Sequence, residues 1–333
     1  MAYGDLMRSL VSDLIYRRAL LASAGAALLA PRAFADAWPV RPIKLVAPFA
    51  PGGGSDFTSR LIAEKLSARL GQPMLVDNKP GAGGNMGAEV AIKSPADGYT
   101  FLTISGSYAV NAILHQPSFD SLADIVAIGQ FTDEPTVLCV NPAVPAHTLA
   151  ELVALAKREP GKLSYGSSGP GGLVHLATEF FLDAAGIKVT HVPYRGTAPA
   201  LVDLLAGNVQ ILTGGTTTML PYIKNGKLRG LATTARTRLA AAPDIPSYVE
   251  QGYPTVDFNL WHGMIGPKGI PGEIVRRMNS ELDSVLKSPE VAGRLAEDGV
   301  IAVGGTPQAF MATIRAEVER WQTFIDRTKI KLD

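Results

Sequence analysis

The 333-residue chain has a single cysteine, and this scarcity excludes an intramolecular disulfide. Cys139 lies within the apolar run 136–140, so we expect a buried thiol. The chain also lacks an excess of charge of either sign, because 31 basic and 30 acidic residues leave a formal charge of +1. It contains no run rich in arginine and lysine, so we expect no nucleic-acid partner.

Long hydrophobic runs are missing as well. The apolar run at 19–30 is shorter than the roughly 20 residues that a membrane span needs. It follows Arg17 and Arg18 and precedes Ala33-Phe-Ala35, a small-x-small cleavage signature. We therefore interpret 1–35 as an export signal, twin-arginine-like or general secretory, that is cleaved near Ala35 and leaves a periplasmic protein.

The sequence lacks the clusters of residues that metal, cofactor and catalytic sites require. Residues 81–87 depart from the dinucleotide-binding fingerprint because Met86 takes the place of the third glycine. The five histidines are far apart and none pairs at the i,i+4 spacing of helical metal ligands; they are His115, His147, His175, His191 and His262. We therefore expect neither a metal nor a cofactor.

Glycine-rich loops at the ends of predicted strands are the main positive signal. An apolar strand at 43–49 leads into three glycines at 52–54 and then into a helix. Glycine lets main-chain N–H groups approach a ligand closely, and the first turn of a helix adds unpaired donors that favour an anion. Ser55 or Asp56 is expected to cap this helix. The alternative is that the glycines serve only a sharp turn.

The same arrangement recurs along the chain. Predicted strands at 74–77 and 99–105, and a short one from 162, each end in a loop of small, polar residues. Strands that alternate with helices predict parallel βαβ units, whose ligands lie beyond the carboxyl ends of the strands. We therefore expect an α/β protein in which loops of two lobes bind a small anionic solute.

The C-terminal segment predicts a helix over 307–327 with Thr306 as its N-cap. Its apolar side chains recur at helical spacing, and they are Phe310, Ile314, Val318, Trp321 and Ile325. Such a stripe favours packing in the core over a groove for a partner.

Several single residues have two interpretations. His175 either contacts a ligand or packs in the first turn of a helix. Arg195 is a counter-charge for an anion or a member of a surface salt bridge. The rival function is a periplasmic serine hydrolase that uses Ser167 or Ser168 of the 165–172 loop, although this segment lacks the last glycine of a nucleophile elbow. Ester turnover that is lost on Ser167→Ala or Ser168→Ala would favour the hydrolase.

Eight segments occur in a specific order: Trp38-Pro-Val-Arg-Pro-Ile-Lys44, Pro51-Gly-Gly-Gly-Ser-Asp56, Asn78-Lys-Pro-Gly-Ala-Gly-Gly-Asn85, Asp97-Gly-Tyr-Thr100, Tyr165-Gly-Ser-Ser-Gly169, Val192-Pro-Tyr-Arg-Gly196, Gly226-Lys-Leu-Arg-Gly-Leu-Ala232 and Trp261-His-Gly263. In this order they resemble the Bug-type receptors of tripartite tricarboxylate transporters. The resemblance implies a type II-like periplasmic binding protein fold, with a mostly parallel sheet in each lobe and a two-stranded hinge. The lobes are expected at 38–133 with 262–333, and at 134–261.

The resemblance also implies a ligand carboxylate held between the lobes and bridged by water to the first-lobe loops. Two departures, Gly214 where many members carry aspartate and Tyr108 where histidine is common, indicate a bulkier ligand or one without an amine. The expected ligand-binding residues are Gly52, Gly53, Gly54, Ser55, Asp56, Gly83, Gly84, Asn85, Ser105, Ser107, Ser167, Ser168, His175, Arg195 and Gly214.

These features together predict a non-enzymatic, monomeric, extracytoplasmic receptor. Its ligand is expected to be a small carboxylate, such as a di- or tricarboxylate, an aromatic acid or an amino acid. Its partners are expected to be the membrane permease subunits of a tripartite transporter or, alternatively, a membrane sensor.

Overall fold

The computed structural model describes residues 38–114 and 118–328. The expected export signal at 1–35 and His115 lie outside the described residues. Contacts divide the chain into two units, 1–40 and 41–333, and the elements below belong to the second. Within the described ranges, no helix is both long enough and apolar enough to cross a membrane.

One group of elements surrounds a six-stranded sheet. Its strands are β1 (Ile43–Ala47), β2 (Met74–Asn78), β3 (Thr100–Ser105), β4 (Ile125–Glu134), β10 (Leu260–Pro267) and β11 (Ile301–Gly304). Its helices are α1 (Gly54–Leu70), α2 (Asn85–Ile92), α3 (Gly106–Leu114), α8 (Gly272–Leu286), α9 (Pro289–Ala296) and α10 (Pro307–Thr328). The strand order is β11-β4-β10-β3-β1-β2. We call this group the first lobe.

The other group surrounds a five-stranded sheet, and we call it the second lobe. Its strands are β5 (Thr136–Val140), β6 (Ser164–Ser167), β7 (Thr190–Pro193), β8 (Ile211–Gly215) and β9 (Arg229–Thr233). Its helices are α4 (Leu149–Arg158), α5 (Leu173–Ala185), α6 (Thr197–Ala206) and α7 (Thr216–Lys224). The strand order is β7-β6-β8-β5-β9.

Both sheets are mixed, so the expectation of mostly parallel sheets is wrong. β1 is parallel to β2 and β3, and β6 is parallel to β7 and β8, but β4, β5, β9, β10 and β11 pair antiparallel. The physical reason is the route of the chain. It runs from β4 into β5 through Pro135 alone and returns to β10 through 234–259. Neither passage contains the helical crossover that joins neighbouring parallel strands. The α/β class is confirmed.

The last helix, α10, packs against both lobes. Phe310 meets the β10 residue Trp261 edge to face, with ring centroids 5.6 Å apart. Further along the helix, Phe324 contacts Phe180 of α5 at 4.7 Å. Phe310, Ile314 and Trp321 are at most 1% exposed, which confirms that the predicted stripe is core. Cys139 is also buried, as expected, and burial raises the pKa of its thiol.

Replacing Thr306 with alanine is expected to lower the free energy of unfolding by about 1 kcal/mol, because the substitution removes an N-cap. Thr306 Oγ1 accepts a hydrogen bond from Ala309 N at 3.1 Å, at the start of α10. Urea unfolding measures the effect. Thr313→Ala is the matched control, because Thr313 lies inside the same helix and its hydroxyl donates to Ala309 O rather than accepting from a first-turn N–H group. Equal effects of the two substitutions would contradict the capping role.

Candidate functional site

A cavity of about 470 Å³, including the part that is open to solvent, lies where loops of the two lobes meet, and we call it the inner cavity. Six of the residues expected from the sequence line it: Gly53, Gly54, Ser55, Ser105, Ser107 and Ser168. The sequence reasoning did not single out the remaining lining residues as ligand-binding: Phe49, Leu173, Val174, Thr197, Gly215, Thr218, Leu260 and His262. The inner cavity therefore takes residues from the first and second lobes alike.

Five helices begin at the inner cavity. They are α1, α3, α5, α6 and α7, and each has residues of its first turn or its N-cap in the lining. The first N–H groups of a helix lack intrahelical partners, and the helix dipole places partial positive charge there. The described residues that line this cavity include neither lysine nor arginine. Main-chain dipoles thus supply a positive potential suited to a small anion.

The start of α1 differs from the expectation that Ser55 or Asp56 caps it. Gly53 is the N-cap, and within the described chain no side chain accepts a hydrogen bond from the first turn of α1. Asp56 Oδ2 instead accepts from Gly52 N at 3.0 Å, outside the helix. Since no cap occupies them, the first-turn amides remain available to a ligand.

Asp56 holds the glycine loop in place. Its carboxylate pairs with Arg60 at 2.9 Å and accepts from Asn78 Nδ2 at 2.9 Å. Burial opposes its ionisation, but the hydrogen bonds from Arg60, Gly52 and Asn78 outweigh burial and lower the pKa of Asp56. In this structure, therefore, the hydrogen-bond partners of Asp56 are Gly52, Arg60 and Asn78, and its role is to hold the glycine loop.

A second cavity adjoins the first, and we call it the outer cavity. It has a volume of about 880 Å³ and shares Phe49 and Ser168 with the inner cavity. Besides Ser168, three residues expected at the site line it: Gly83, Gly84 and Arg195. Arg195 brings a cation to the outer part of the cleft. A solute with two acidic groups can thus meet amides in one cavity and a guanidinium in the other.

Six expected site residues lie outside the linings of both cavities: Gly52, Asp56, Asn85, Ser167, His175 and Gly214. Asn85 is the first residue of α2. Gly214 lies in β8, where a Cβ would sit 2.1 Å from Met219 Cε. The space that an aspartate would need at this position is therefore filled by Met219.

His175 belongs to a stacked column of aromatic rings in the second lobe. Its ring centroid is 4.0 Å from that of His191, which is 4.9 Å from that of Tyr165. Gly171 N donates to His175 Nδ1 at 3.3 Å, and Ser167 Oγ lies 2.6 Å from His191 Nε2. Burial lowers the pKa of His175 to about 3 and that of His191 to about 4. Two neutral imidazoles thus support the 167–172 loop.

The contact between Ser167 and His191 is relevant to the alternative function, a serine hydrolase. Ser167 Oγ contacts His191 as a nucleophile would contact its base, but Ser167 is 0% exposed. Its oxygen also accepts from Gly169 N at 3.1 Å. Ser168, by contrast, lines the cavity. The Ser167–His191 contact therefore lies behind the loop rather than in the cleft.

The two lobes touch directly around the cavities. Ser107 Oγ in α3 accepts from Leu173 N at the start of α5 at 2.8 Å. Ala50 N donates to Arg195 O at 3.3 Å. A Cβ on Gly83 would lie 2.8 Å from Pro170 O. The cleft is therefore closed in this structure.

Glu134 is a buried residue beside the site that the sequence reasoning missed. Its Oε1 accepts from Thr217 N at 2.8 Å and from Thr217 Oγ1 at 2.7 Å. Burial raises the pKa of Glu134 to about 7. The available signal was an acidic residue directly before Pro135 at the end of an apolar strand. Within 38–114 and 118–328, no group of three histidine, cysteine or acidic side chains could hold a metal ion.

The two α/β lobes, the closed cleft between them and the helix N-termini that meet there define the class of two-lobed solute-binding proteins. Residues 58–330 match the family described as tripartite tricarboxylate transporter family receptor. The chain belongs to this family, and it is a solute-binding receptor of the Bug type.

Individual relatives agree with this assignment. BugT of Bordetella pertussis is 36% identical over 302 residues, which cover 90% of this chain and 92% of BugT. The solved structure of periplasmic binding protein BugD is 30% identical, with a TM-score of 0.85, and the match covers 88% of this chain and 99% of BugD. That of R. palustris Rpa4515 with adipate is 34% identical, with a TM-score of 0.84 and coverage of 87% and 97%. The two-lobed periplasmic binding protein fold is confirmed.

Proposed function

We propose that this chain is a periplasmic receptor that captures a small carboxylate in its closed cleft. The observation that carries the proposal is the convergence of five helix N-termini on the inner cavity. The helix dipoles, together with first-turn N–H groups that have no side-chain acceptor, such as those of α1, bind an anion without a lysine or an arginine. The adipate in the structure of Rpa4515 supports the same class of ligand.

A dicarboxylate fits the two cavities better than a monocarboxylate. One carboxylate enters the inner cavity, and the second extends past Phe49 and Ser168, which line both cavities, toward Arg195. A guanidinium forms charge-assisted hydrogen bonds with a carboxylate, so Arg195 favours ligands with a second acidic group.

The captured solute is handed to a membrane protein in this proposal. The family points to the permease subunits of a tripartite transporter, and a membrane sensor is the alternative partner. Export through the segment 1–35 places the receptor in the periplasm, where it works as a monomer.

Binding of dicarboxylates by the mature chain tests the proposal. Adipate at about 100 times its Kd is expected to raise Tm by roughly 5 °C, since a ligand that binds only the folded state stabilises it by mass action. Differential scanning fluorimetry measures Tm, and calorimetry measures Kd. Adipamide, which has the same chain length but no charge, is the control ligand. The proposal fails if no carboxylate in a panel of succinate, adipate, benzoate and glutamate shifts Tm, or if adipamide shifts it equally.

A comparison of adipate with hexanoate tests the role of Arg195. Arg195→Gln is expected to weaken adipate binding severalfold and to leave hexanoate binding unchanged, because hexanoate has only one acidic group. Arg236→Gln is the matched control, because the Arg236 side chain is 86% exposed and pairs with Asp257 at 3.8 Å. Equal losses for adipate and hexanoate in Arg195→Gln would contradict the role of Arg195 as partner of a second carboxylate.

A further inference from the structure

Glu134 carries a buried carboxyl group that the described contacts satisfy only in part. It is the last residue of β4, directly before the passage of the chain into the second lobe at Pro135, and it is 0% exposed. Its Oε1 accepts both hydrogen bonds from Thr217. Its Oε2 is buried and has no hydrogen-bond partner among the residues that the structure describes. An oxygen in this state normally carries a proton or awaits a donor.

The carboxyl group lies directly behind two glycines that line the inner cavity. A Cβ on Gly215 would sit 2.2 Å from Glu134 Oε1, and a Cβ on Gly54 would sit 3.6 Å from Oε2. Gly54 belongs to the first lobe and Gly215 to the second, so Glu134 touches both sides of the closed cleft. The residue that follows Gly54, Ser55, has a buried hydroxyl without a partner in the described part of the chain. The hydroxyl of Thr216, which follows Gly215, makes no hydrogen bond of ordinary geometry there, but it lies close enough to Glu134 to lower the pKa of the carboxyl group.

Burial and the nearest charged side chain oppose the ionisation of Glu134 and outweigh the hydrogen bonds from Thr217, which favour it. The charged group that acts on it is the carboxylate of Asp298, which itself pairs with Arg294 at 2.9 Å. In α1, Asp56 is paired with Arg60. On β10, the neighbouring His262 has its pKa lowered to about 4 by burial and is uncharged at neutral pH. A carboxylate that is buried without a cation is costly, and such groups bind a proton instead.

We propose that Glu134 is an uncharged acid when the closed cleft holds a carboxylate, and that capture of the carboxylate in the inner cavity is coupled to the binding of one proton by Glu134. This inference rests on the proposed function, since it concerns the same cavity. An anion that enters the inner cavity comes to lie against Gly54 and Gly215, beside the Glu134 carboxyl group. The negative charges of the ligand carboxylate and of an ionised Glu134 repel each other in a medium of low dielectric constant. Protonation of Glu134 removes this repulsion.

The direction of the pH dependence follows from this coupling. Burial already raises the pKa of Glu134 to about 7 without a ligand, and an anion nearby raises it further. At a pH between these two values, the complex holds one proton more than the free protein. Affinity for a carboxylate therefore falls as the pH rises, by up to about tenfold per pH unit.

The protonation state of Glu134 can be measured without any ligand. A carbon-13 NMR titration of the side-chain carboxyl groups should show one glutamate that titrates near pH 7, and Glu134→Gln should remove this resonance. Glutamine keeps an oxygen for Thr217 and resembles the protonated acid. If Glu134 titrates near its usual pKa of about 4.3, the inference is wrong whatever the ligand. The wild-type titration decides this point even if the variant fails to fold.

Calorimetric titration with adipate tests the coupling itself. Between about pH 6 and about pH 9, the wild type should lose affinity and take up close to one proton per adipate, as read from the dependence of the binding enthalpy on the buffer. Glu134→Gln should bind adipate with little dependence on pH. Asp133→Asn is the matched control, because Asp133 precedes Glu134 in β4 and points to the opposite face, so this variant should retain the coupling.

The outcomes separate the two proposals. Adipate binding that does not vary with pH in the wild type, or that varies equally in Glu134→Gln, overturns the coupling and leaves the receptor function intact. Failure of every carboxylate to bind at every pH overturns the proposed function, while the NMR titration still decides whether Glu134 is protonated.

Discussion

Replacing Gly83 with alanine is expected to weaken the binding of adipate by about tenfold to a hundredfold. Gly83 has φ +63°, and a Cβ there would lie 2.8 Å from Pro170 O and 3.0 Å from Asn111 Oδ1. Pro170 belongs to the second lobe, so its clash exists only when the cleft is closed, whereas Asn111 lies in α3 and belongs, like Gly83, to the first lobe. Overpacking of this kind costs about 1–3 kcal/mol, which the substitution adds to the free energy of closure and hence to the free energy of binding.

Gly186→Ala separates closure from backbone strain. Gly186 has φ +61°, close to that of Gly83, but nothing lies within 4 Å of the Cβ that alanine would add. The left-handed backbone should cost both variants a similar free energy of unfolding, about 1 kcal/mol, and the contacts with Asn111 and Pro170 add to the loss in Gly83→Ala alone. Calorimetry with adipate should show weaker binding for Gly83→Ala alone. Unchanged affinity in Gly83→Ala would contradict the closed contact between the lobes.

Acidification from about pH 6.5 to about pH 4 is expected to destabilise the fold through His175 and His191. Burial lowers the pKa of His175 to about 3 and that of His191 to about 4, and the proximity of the two rings adds to the effect on His175. In the unfolded chain both histidines bind protons below about pH 6.5, so the unfolded state takes up protons first. The contribution of the pair is present above that pH and is lost as the pH falls, by up to about 2.7 kcal/mol per pH unit.

Substitutions that keep the acceptor atoms test this dependence. His175→Asn retains an oxygen for Gly171 N, and His191→Gln retains a partner for Ser167 Oγ, but neither side chain can be protonated. Urea unfolding at a series of pH values should show a shallower loss of stability in each variant. His147→Gln is the control, because His147 is exposed and precedes α4. An unchanged slope in both test variants would mean that these histidines do not take part in the acid response.

The main-chain part of the site could be predicted from the sequence. Three consecutive glycines after an apolar strand locate the start of α1, and Gly53, Gly54 and Ser55 line the inner cavity. Local patterns are sufficient here because the cavity is built from strand ends and helix starts. The same reasoning predicted the α10 stripe, in which spacing alone indicates which side chains are buried.

Features that depend on contacts between distant segments could not be predicted from local sequence patterns. Glu134 reads as a polar residue at a strand end, and its burial becomes evident only when Thr217, some 80 residues later, is seen to donate to it. His175 and His191 show no sequence spacing that predicts their stacked rings. The parallel sheets were mispredicted for a related reason, because Pro135 gives no sign that the chain leaves one sheet for another.

The contact of α10 with both lobes constrains how far and how often they separate. The helix has 22 residues, holds Phe310 against β10, and brings Phe324 to Phe180 of α5. The peptide passages at Pro135 and 234–259 are thus joined by a third, noncovalent tether. An aromatic pair adds about 0.5–1.5 kcal/mol beyond its buried area. The contact between α10 and α5 therefore adds to the free energy of opening and slows the release of a solute from a place remote from both cavities.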